Sequence, residues 1–187
     1  MITIGVFGED ISDAEMVKNL IARLRTGKRT RIKTKGYGGK GDIKRKGSRD
    51  IELLKSLGVN FFVVCVDADG PDPKPVFEEI TVKVIVPSKV KANACCVVPV
   101  QEIEAWILAD TAAISQVITS WKPKPVASPE AIANPKEHLE KLSRAENKRP
   151  RYVPATHNAK VAEHLNLDTV YECCPSFRIL ADFVRAI

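Results

Sequence analysis

The sequence lacks the features that mark membrane, secreted and disulfide-rich proteins. No apolar run approaches the roughly 18 residues that span a bilayer. The five cysteines are odd in number, and four form the adjacent pairs Cys95-Cys96 and Cys173-Cys174. That spacing matches neither a disulfide framework nor a CxxC metal knuckle. Residues 1–7 carry no basic flank and no small-residue cleavage site, so we expect no signal peptide there. These absences predict a cytoplasmic protein with no membrane partner.

Histidine and aromatic residues are also scarce, which limits the possible chemistry. The three histidines lack metal-ligand spacing, and no Ser–His–Asp arrangement can be argued from the sequence. What remains is an ordinary globular composition, with 44% hydrophobic and 28% charged residues. A chain of 187 residues is long enough for one domain, or for one domain with a helical annex.

Positive charge is concentrated in one stretch of a chain whose formal net charge is +6. Residues 23–49 contain twelve Lys and Arg residues, several glycines and the single acid Asp42. We expect a flexible basic loop that follows a phosphate backbone, since cations that neutralise phosphates release counterions. The candidate nucleic-acid ligands are Arg29, Arg31, Lys33, Lys35, Lys40, Lys44, Arg45 and Lys46. The alternative is a solvated loop that binds nothing.

The same stretch contains a G-x-G-x-x-G string at residues 36–41. In dinucleotide-binding folds this string joins an apolar strand to a helix. Here it follows a basic segment and precedes one without an apolar helical face, so we expect no dinucleotide site. A P-loop is excluded as well, because Asp42 stands where the lysine after the second glycine belongs.

Hydrophobic patterning predicts strand–helix alternation followed by helices alone. Strands are expected at residues 2–7, 61–66, 82–86 and 94–98. The first helix is expected to begin at Ser12, with Glu15 completing a capping box, and the second to run from Ser48 to a stop at Gly58. Later helices are expected at 101–109, 135–144, 156–165 and 176–187. The predicted architecture is an α/β core of residues 1–118 with a helical C-terminal extension of residues 119–187 packed on it.

Acidic residues follow two of the predicted strands directly. Glu9 and Asp10 come after the first strand, and Asp67 and Asp69 after the strand at 61–66. The latter run is apolar on both faces, as in the middle of a parallel sheet. Ligands of such sheets bind outside the carboxyl ends of the strands. A carboxylate cluster there needs a counter-charge, which Mg²⁺ supplies while completing its shell with water and phosphate oxygens. The alternatives are an Asp turn at 67–69 and a helix-dipole role for Glu9.

These residues resemble the Toprim domain. The likeness rests on Glu9-Asp10-Ile11-Ser12-Asp13 after the first strand and on Asp67-Ala68-Asp69 after a later one. Residues 99–110, with Glu104-Ala105-Trp106, and residues 173–177 resemble segments of small stand-alone Toprim-like proteins of unknown function, found beside ATPases in bacterial defence loci. One departure is that Asp10 stands where the Toprim pattern usually has glycine.

The resemblance implies a Toprim/Rossmann-like, mostly parallel sheet flanked by helices, and it implies roles for individual residues. Glu9 corresponds to the acid/base glutamate, and Asp67 and Asp69 to the pair that binds Mg²⁺. Glu104, at the border of a predicted apolar helix face, is a further candidate metal ligand, and the alternative is a solvated glutamate.

One lysine of the C-terminal extension is a further candidate. Lys160 belongs to a basic group before and within the predicted helix at 156–165. The group comprises Lys148, Arg149, Arg151, His157 and Lys160. If that helix folds over the sheet edge, Lys160 would meet a scissile phosphate. The alternative is an exposed helix lysine.

The predicted function is a phosphodiesterase (nuclease) of DNA or RNA that depends on Mg²⁺ or Mn²⁺. In this hypothesis Asp67 and Asp69 hold the cation, Glu9 is a second-metal ligand or the general base, and Lys160 assists at the phosphate. The first alternative is a non-catalytic subunit of a defence or toxin-type system, which binds nucleic acid or a partner ATPase and uses its acids structurally. A small-molecule phosphotransferase or phosphatase is the second.

Overall fold

A parallel sheet lies at the centre of the protein. The computed structural model describes residues 1–144 and 149–187. Within this part of the chain the sheet has four strands, which are β1 (Ile2–Gly8), β2 (Thr30–Gly36), β3 (Phe61–Cys65) and β4 (Ala94–Val97). Their order is β2-β1-β3-β4, and each neighbouring pair is parallel. The predicted α/β fold with a mostly parallel sheet is confirmed.

Helices cover both faces of this sheet. In chain order they are α1 (Ile11–Leu24), α2 (Lys40–Ser56), α3 (Lys74–Ile80, continued by a π-helical turn at Thr81–Ile85), α4 (Glu104–Ala109), α5 (Thr111–Val117), α6 (Pro135–Ser143), α7 (Pro154–Ala162), α8 (Leu167–Cys173) and α9 (Pro175–Ala186). No helix within the described residues combines the length and the apolar character needed to cross a membrane.

Two hydrophobic clusters hold the layers together, because successive strand side chains point to opposite faces. On one face Val6 and Val63 pack with α1 and with the helices of the C-terminal half. On the other face Phe7 and Phe62 pack with α2 and α3. Burial of β1, β3 and β4 on both sides explains their near-continuous apolar sequences.

The C-terminal helices share the first of these clusters with the sheet. Trp106 of α4 is fully buried, and its ring lies 5.3 Å from that of Phe177 of α9 in an edge-to-face arrangement. Its indole N–H donates to Ser176 Oγ at 2.8 Å, so its one polar group is satisfied. The predicted helical extension is therefore present and packed on the core, while the proposed domain boundary at residue 118 stays a prediction.

The basic stretch is not the flexible loop that we expected. Residues 30–36 form edge strand β2, and residues 40–56 form helix α2. The strand forms because Ile32 and Thr34 alternate with lysine and arginine, so the charges lie on one face of an edge strand. The glycine-rich string at 36–41 consequently joins a strand to a helix after all.

Three other local predictions are also wrong. Residues 82–86 belong to the π-helical continuation of α3 and to the residue after it, and only Val84 and Ile85 of this segment are buried. A short β-branched run is compatible with such a one-sided helical turn as well as with a strand. Helix α2 begins at Lys40, eight residues before the expected start, since Ile43, Gly47 and Ile51 form a narrow buried stripe. Helix α1 is capped by Asp10 and not by Ser12.

The strand order determines where a crevice forms at the edge of the sheet. The chain leaves β1 through α1 towards β2 and leaves β3 through α3 towards β4, on opposite sides. Because β1 and β3 are neighbours, the loops that follow them separate and leave a crevice between them. Glu9 and Asp67 follow these two strands directly.

Candidate acidic site at the carboxyl edge of the sheet

A pocket of about 390 Å³ opens at this switch point between β1 and β3. Of the described residues that line it, seven are acidic, namely Glu9, Asp10, Asp13, Asp67, Asp69, Glu102 and Glu104. Lys136 and the turn at residues 37–39 complete the wall. The structure thus brings together the four predicted metal ligands, although they come from three separate parts of the chain.

Glu9 and Asp67 tie the loops of the crevice to each other. Glu9 Oε1 accepts a hydrogen bond from the backbone N–H of Asp67 at 3.0 Å. Asp67 Oδ1 in turn accepts from the backbone N–H of Ile103 at 2.9 Å, which fixes the entry to α4. The carboxylate that follows β1 is therefore held by the backbone after β3. The carboxylate that follows β3 is held by the backbone at the entry to α4.

Burial and mutual repulsion raise the pKa values of these acids. The pKa of Asp67 lies well above its usual range, first because of desolvation and then because of Asp13, Glu104 and Glu9. The same effects, with Asp10 and Glu104 as the main charged neighbours, raise the pKa of Asp13 to about 7. Such a cluster favours any cation that enters it.

Asp13 is a site residue that the sequence analysis missed. It belongs to the acidic segment 9–13 that follows β1. Asp10 is the N-cap of α1, and its carboxylate accepts from the backbone N–H groups of Ser12 and Asp13. Asp13 therefore lies in the first helical turn, on the face that lines the pocket. The sequence signal for this residue is its position three residues after Asp10, the acid that caps α1.

Asp69 differs from the other predicted ligands because it lies at the rim. Its side chain is 65% exposed, and Oδ2 accepts from Lys40 Nζ at 2.5 Å. The same ammonium group lies 3.9 Å from Glu9 Oε1. It lowers the pKa of Glu9, although desolvation prevails and that pKa is raised overall. Lys40 is thus the internal counter-charge of the outer part of the pocket.

Glu104 lies at the inner wall and is held by the C-terminal helices. It is only 4% exposed, and its Oε1 accepts from Asn158 Nδ2 at 2.9 Å. Asn158 Oδ1 accepts from the hydroxyl of Tyr152 at 2.7 Å. Burial raises the pKa of Glu104, and the Asn158 hydrogen bond opposes that rise. Its neighbour Glu102 accepts instead from the backbone N–H of Lys136 at 2.9 Å.

Two glycines allow the loops to approach this closely. A Cβ atom on Gly36, at the end of β2, would lie 2.3 Å from the backbone nitrogen of Ile11. A Cβ atom on Gly8 would lie 2.7 Å from the backbone nitrogen of Ala14. Only glycine fits at either place, so the start of α1 is pressed against the ends of both β1 and β2.

The basic residues predicted to bind nucleic acid fall into two groups. Five of the eight form salt bridges with carboxylates. The pairs are Lys35 with Asp50, Lys40 with Asp69, Lys44 with Glu79, and Arg45 and Lys46 with Asp42. Arg29, Arg31 and Lys33 form no salt bridge with the described residues. The second group lies on or next to edge strand β2.

Lys160 is exposed on α7 and does not line the pocket. Its predicted contact with a phosphate stays a prediction. Asn158, two residues earlier on the same helix, is the residue of α7 that contacts a pocket carboxylate. Lys148, from the same predicted basic group, lies outside the described residues.

The donor chemistry of the pocket fits a hard divalent cation, but the side chains are not arranged around one. No group of three or more His, Cys, Asp or Glu residues within residues 1–144 and 149–187 has metal-holding geometry. The reason is visible in the contacts, because Glu9, Asp67, Asp69 and Glu104 each accept a hydrogen bond from a protein donor. Oxygen ligands for Mg²⁺ or Mn²⁺ are present, and side-chain rotation is needed to gather them.

Comparison with known proteins identifies a family. Residues 8–185 match the model of the family described as "Domain of unknown function (DUF4276)". The chain belongs to this family. No curated protein and no solved structure matches the chain. The DUF4276 match includes every acidic residue that lines the pocket, and it extends from the end of β1 into α9. In this chain strands β2 to β4 and the C-terminal helices as far as residue 185 therefore lie within one family match.

Proposed function

We propose that this DUF4276 protein is a phosphodiesterase that acts on DNA or RNA with Mg²⁺ or Mn²⁺. The observation that carries the proposal is the carboxylate pocket at the switch point between β1 and β3, where Glu9 and Asp67 meet. The likeness of residues 9–13 and 67–69 to the Toprim domain supports the same reaction class. The pocket also has the size and position of a ligand site in an open parallel sheet.

In this proposal the inner carboxylates hold the cation. Asp67 is the proposed central ligand, because it lines the pocket with Asp13, Glu104 and Glu9, and its backbone N–H donates to Glu9. Asp69 joins them once it leaves Lys40. A bound divalent cation would activate water and offset negative charge at a phosphate.

The residues of the chain supply the remaining chemistry. Glu9 and Asp13 have raised pKa values, and that of Asp13 is about 7. A raised pKa makes a carboxylate a stronger base towards an attacking water molecule. Glu9, which follows β1 directly, is the proposed general base, and Asp13 lies beside it in the first turn of α1.

The exposed cations of β2 would bind the nucleic-acid backbone. Arg29 and Arg31 are exposed, and with Lys33 they carry charge that the described acids do not neutralise. Contacts of this kind position a phosphate backbone without reading its sequence. The strand ends at Gly36, next to the acidic pocket, so a backbone bound along β2 would be directed towards it.

A second candidate function is a non-catalytic subunit that binds nucleic acid or an ATPase. The lack of a ready metal-holding group among the described acids favours it, as does the direct pairing of Lys40 with Asp69. In that case the carboxylates serve to join loops. Binding to nucleic acid would then be independent of divalent cations.

The test is cleavage of single- and double-stranded DNA and RNA by the wild type and by Asp67→Asn, with and without Mn²⁺. The proposal expects cleavage that requires the cation and that is lost in the variant. Asp72→Asn, a change in the loop just beyond the pocket, is the matched control and should cleave normally. Equal cleavage by the wild type and Asp67→Asn would exclude the catalytic role.

A further inference from the structure

The C-terminal helices contribute a buried polar chain that reaches the pocket. Its members are Tyr152, Asn158 and Glu104, of which the first two are fully buried. The hydroxyl of Tyr152 donates to Asn158 Oδ1 at 2.7 Å, and Asn158 Nδ2 donates to Glu104 Oε1 at 2.9 Å. Only the last member lines the pocket.

The order of donors in this chain has a physical consequence. An asparagine amide has an accepting and a donating end, and either end can face a neighbour. The Tyr152 hydroxyl engages the oxygen, so the NH₂ group must face Glu104. Like any tyrosine hydroxyl, this group keeps its proton at neutral pH, and it donates that proton in a hydrogen bond to the amide oxygen. The amide is therefore locked in the orientation that suits a negatively charged Glu104.

Glu104 needs this support because its own surroundings disfavour its charge. It is 4% exposed and lies among other acids. The hydrogen bond from Asn158 Nδ2 gives this buried carboxylate a side-chain donor at 2.9 Å. It also occupies only one carboxylate oxygen, which leaves Oε2 for a ligand in the pocket.

We infer that Asn158 is a positioning residue that keeps Glu104 oriented as a ligand for the divalent cation, and that Tyr152 fixes the orientation of Asn158. The inference rests on the proposed metal-dependent function and extends it to the C-terminal helices. A hydrogen bond behind a metal ligand sets both its direction and its basicity. Tyr152 and Asn158 thus support a site whose lining acids all belong to the first 104 residues.

The test is the affinity for Mn²⁺, measured by isothermal titration calorimetry. Asn158→Leu should bind Mn²⁺ about 10- to 100-fold more weakly than the wild type, the usual cost of losing a residue behind a metal ligand. Tyr152→Phe removes only the hydroxyl and should also weaken Mn²⁺ binding, but by a smaller factor than Asn158→Leu. It carries the test if Asn158→Leu does not fold. Asn166→Ala, which uncaps α8 away from the pocket, should lower the melting temperature and leave Mn²⁺ affinity unchanged.

A double-mutant cycle separates positioning from a general structural effect. In a Glu104→Gln background, Asn158→Leu and Tyr152→Phe should cause no further loss of Mn²⁺ affinity, because both act through Glu104. The inference would be overturned if each substitution lowered the Mn²⁺ affinity by the same factor in both backgrounds, or if the single variants bound Mn²⁺ as tightly as the wild type. Either result would leave the proposed function standing. A wild type that binds no Mn²⁺ would overturn both.

Discussion

Lys40 Nζ lies 2.5 Å from Asp69 Oδ2 and 3.9 Å from Glu9 Oε1, so an ammonium group neutralises the outer carboxylates of the pocket. A divalent cation that uses the same oxygens must displace it. Lys40 begins α2, where the helix dipole disfavours a positive charge, so the carboxylates are what hold it there. Lys40 should therefore pair with Asp69 when the pocket holds no cation and move away from it when a divalent cation binds.

The first prediction is that Lys40→Met strengthens Mn²⁺ binding. Removal of the competing ammonium should raise the affinity by up to roughly fivefold, since exposed ion pairs contribute about 0.2–1 kcal/mol. Calorimetric titration of the metal-free protein measures the change. Lys44→Met breaks a similar pair with Glu79 outside the pocket and should leave the affinity unchanged. Weaker binding by Lys40→Met would show that Lys40 and the cation do not compete.

The second prediction concerns the pH dependence of stability without metal. The pKa of Asp13 is raised from 3.8 to about 7 in the folded protein. The folded state therefore binds protons more tightly than the unfolded state, and the free energy of unfolding should fall as pH rises through this window. Urea unfolding at a series of pH values should show the fall, and Asp13→Asn should reduce it.

The control for this prediction is Glu137→Gln, a change to an acid of α6 that pairs only with Lys141 among the described residues. This variant should show the same fall as the wild type. The raised pKa values of Glu9, Asp67 and Glu104 act in the same direction as that of Asp13. A stability that increases steadily from pH 5 to pH 8 without metal would contradict the electrostatic description of the pocket.

The third prediction is that β2 supplies the nucleic-acid contacts. The double variant Arg31→Ala and Lys33→Ala should bind DNA or RNA more weakly at low salt. Each lost phosphate contact should also reduce the slope of log affinity against log salt by about one. Fluorescence anisotropy at several salt concentrations measures both effects. Changing Arg45 and Lys46, which already pair with Asp42, is the matched control and should have the smaller effect.

The fourth prediction tests the close contact of α1 with the sheet. Gly36→Ala places a methyl group 2.3 Å from the backbone nitrogen of Ile11, so we expect a loss of about 1–3 kcal/mol in unfolding free energy. Gly41→Ala meets no atom within 4 Å and should be neutral or stabilising by up to about 1 kcal/mol. Equal urea midpoints for the two variants would contradict the packing described here.

The sequence predicted the central strands well because they are buried on both faces. β1 and β3 are short, near-continuous apolar runs with the β-branched and aromatic residues typical of buried parallel strands. β2 was missed because an edge strand tolerates the charges of Arg31 and Lys33. Residues 82–86 were assigned to a strand because their β-branched residues are compatible with a strand as well as with a helical turn that is buried only at Val84 and Ile85.

The sequence also predicted one part of the candidate site and missed another. Carboxylates at the ends of apolar strands pointed to one edge of the sheet, and Glu9, Asp67, Asp69 and Glu104 do line one pocket there. The contact between Asn158 and Glu104 joins residues 54 positions apart, and no local pattern signals it. Its prediction required the packing of α7 against the first half of the chain.

The most direct test of the account is anomalous diffraction from crystals of the wild type soaked in Mn²⁺. The account predicts a manganese peak in the pocket between Glu9 and Asp67, with carboxylate oxygens turned towards it, and no peak there in Asp67→Asn crystals. A wild-type pocket without manganese at millimolar concentrations, with Lys40 still bound to Asp69, would contradict the metal-dependent function.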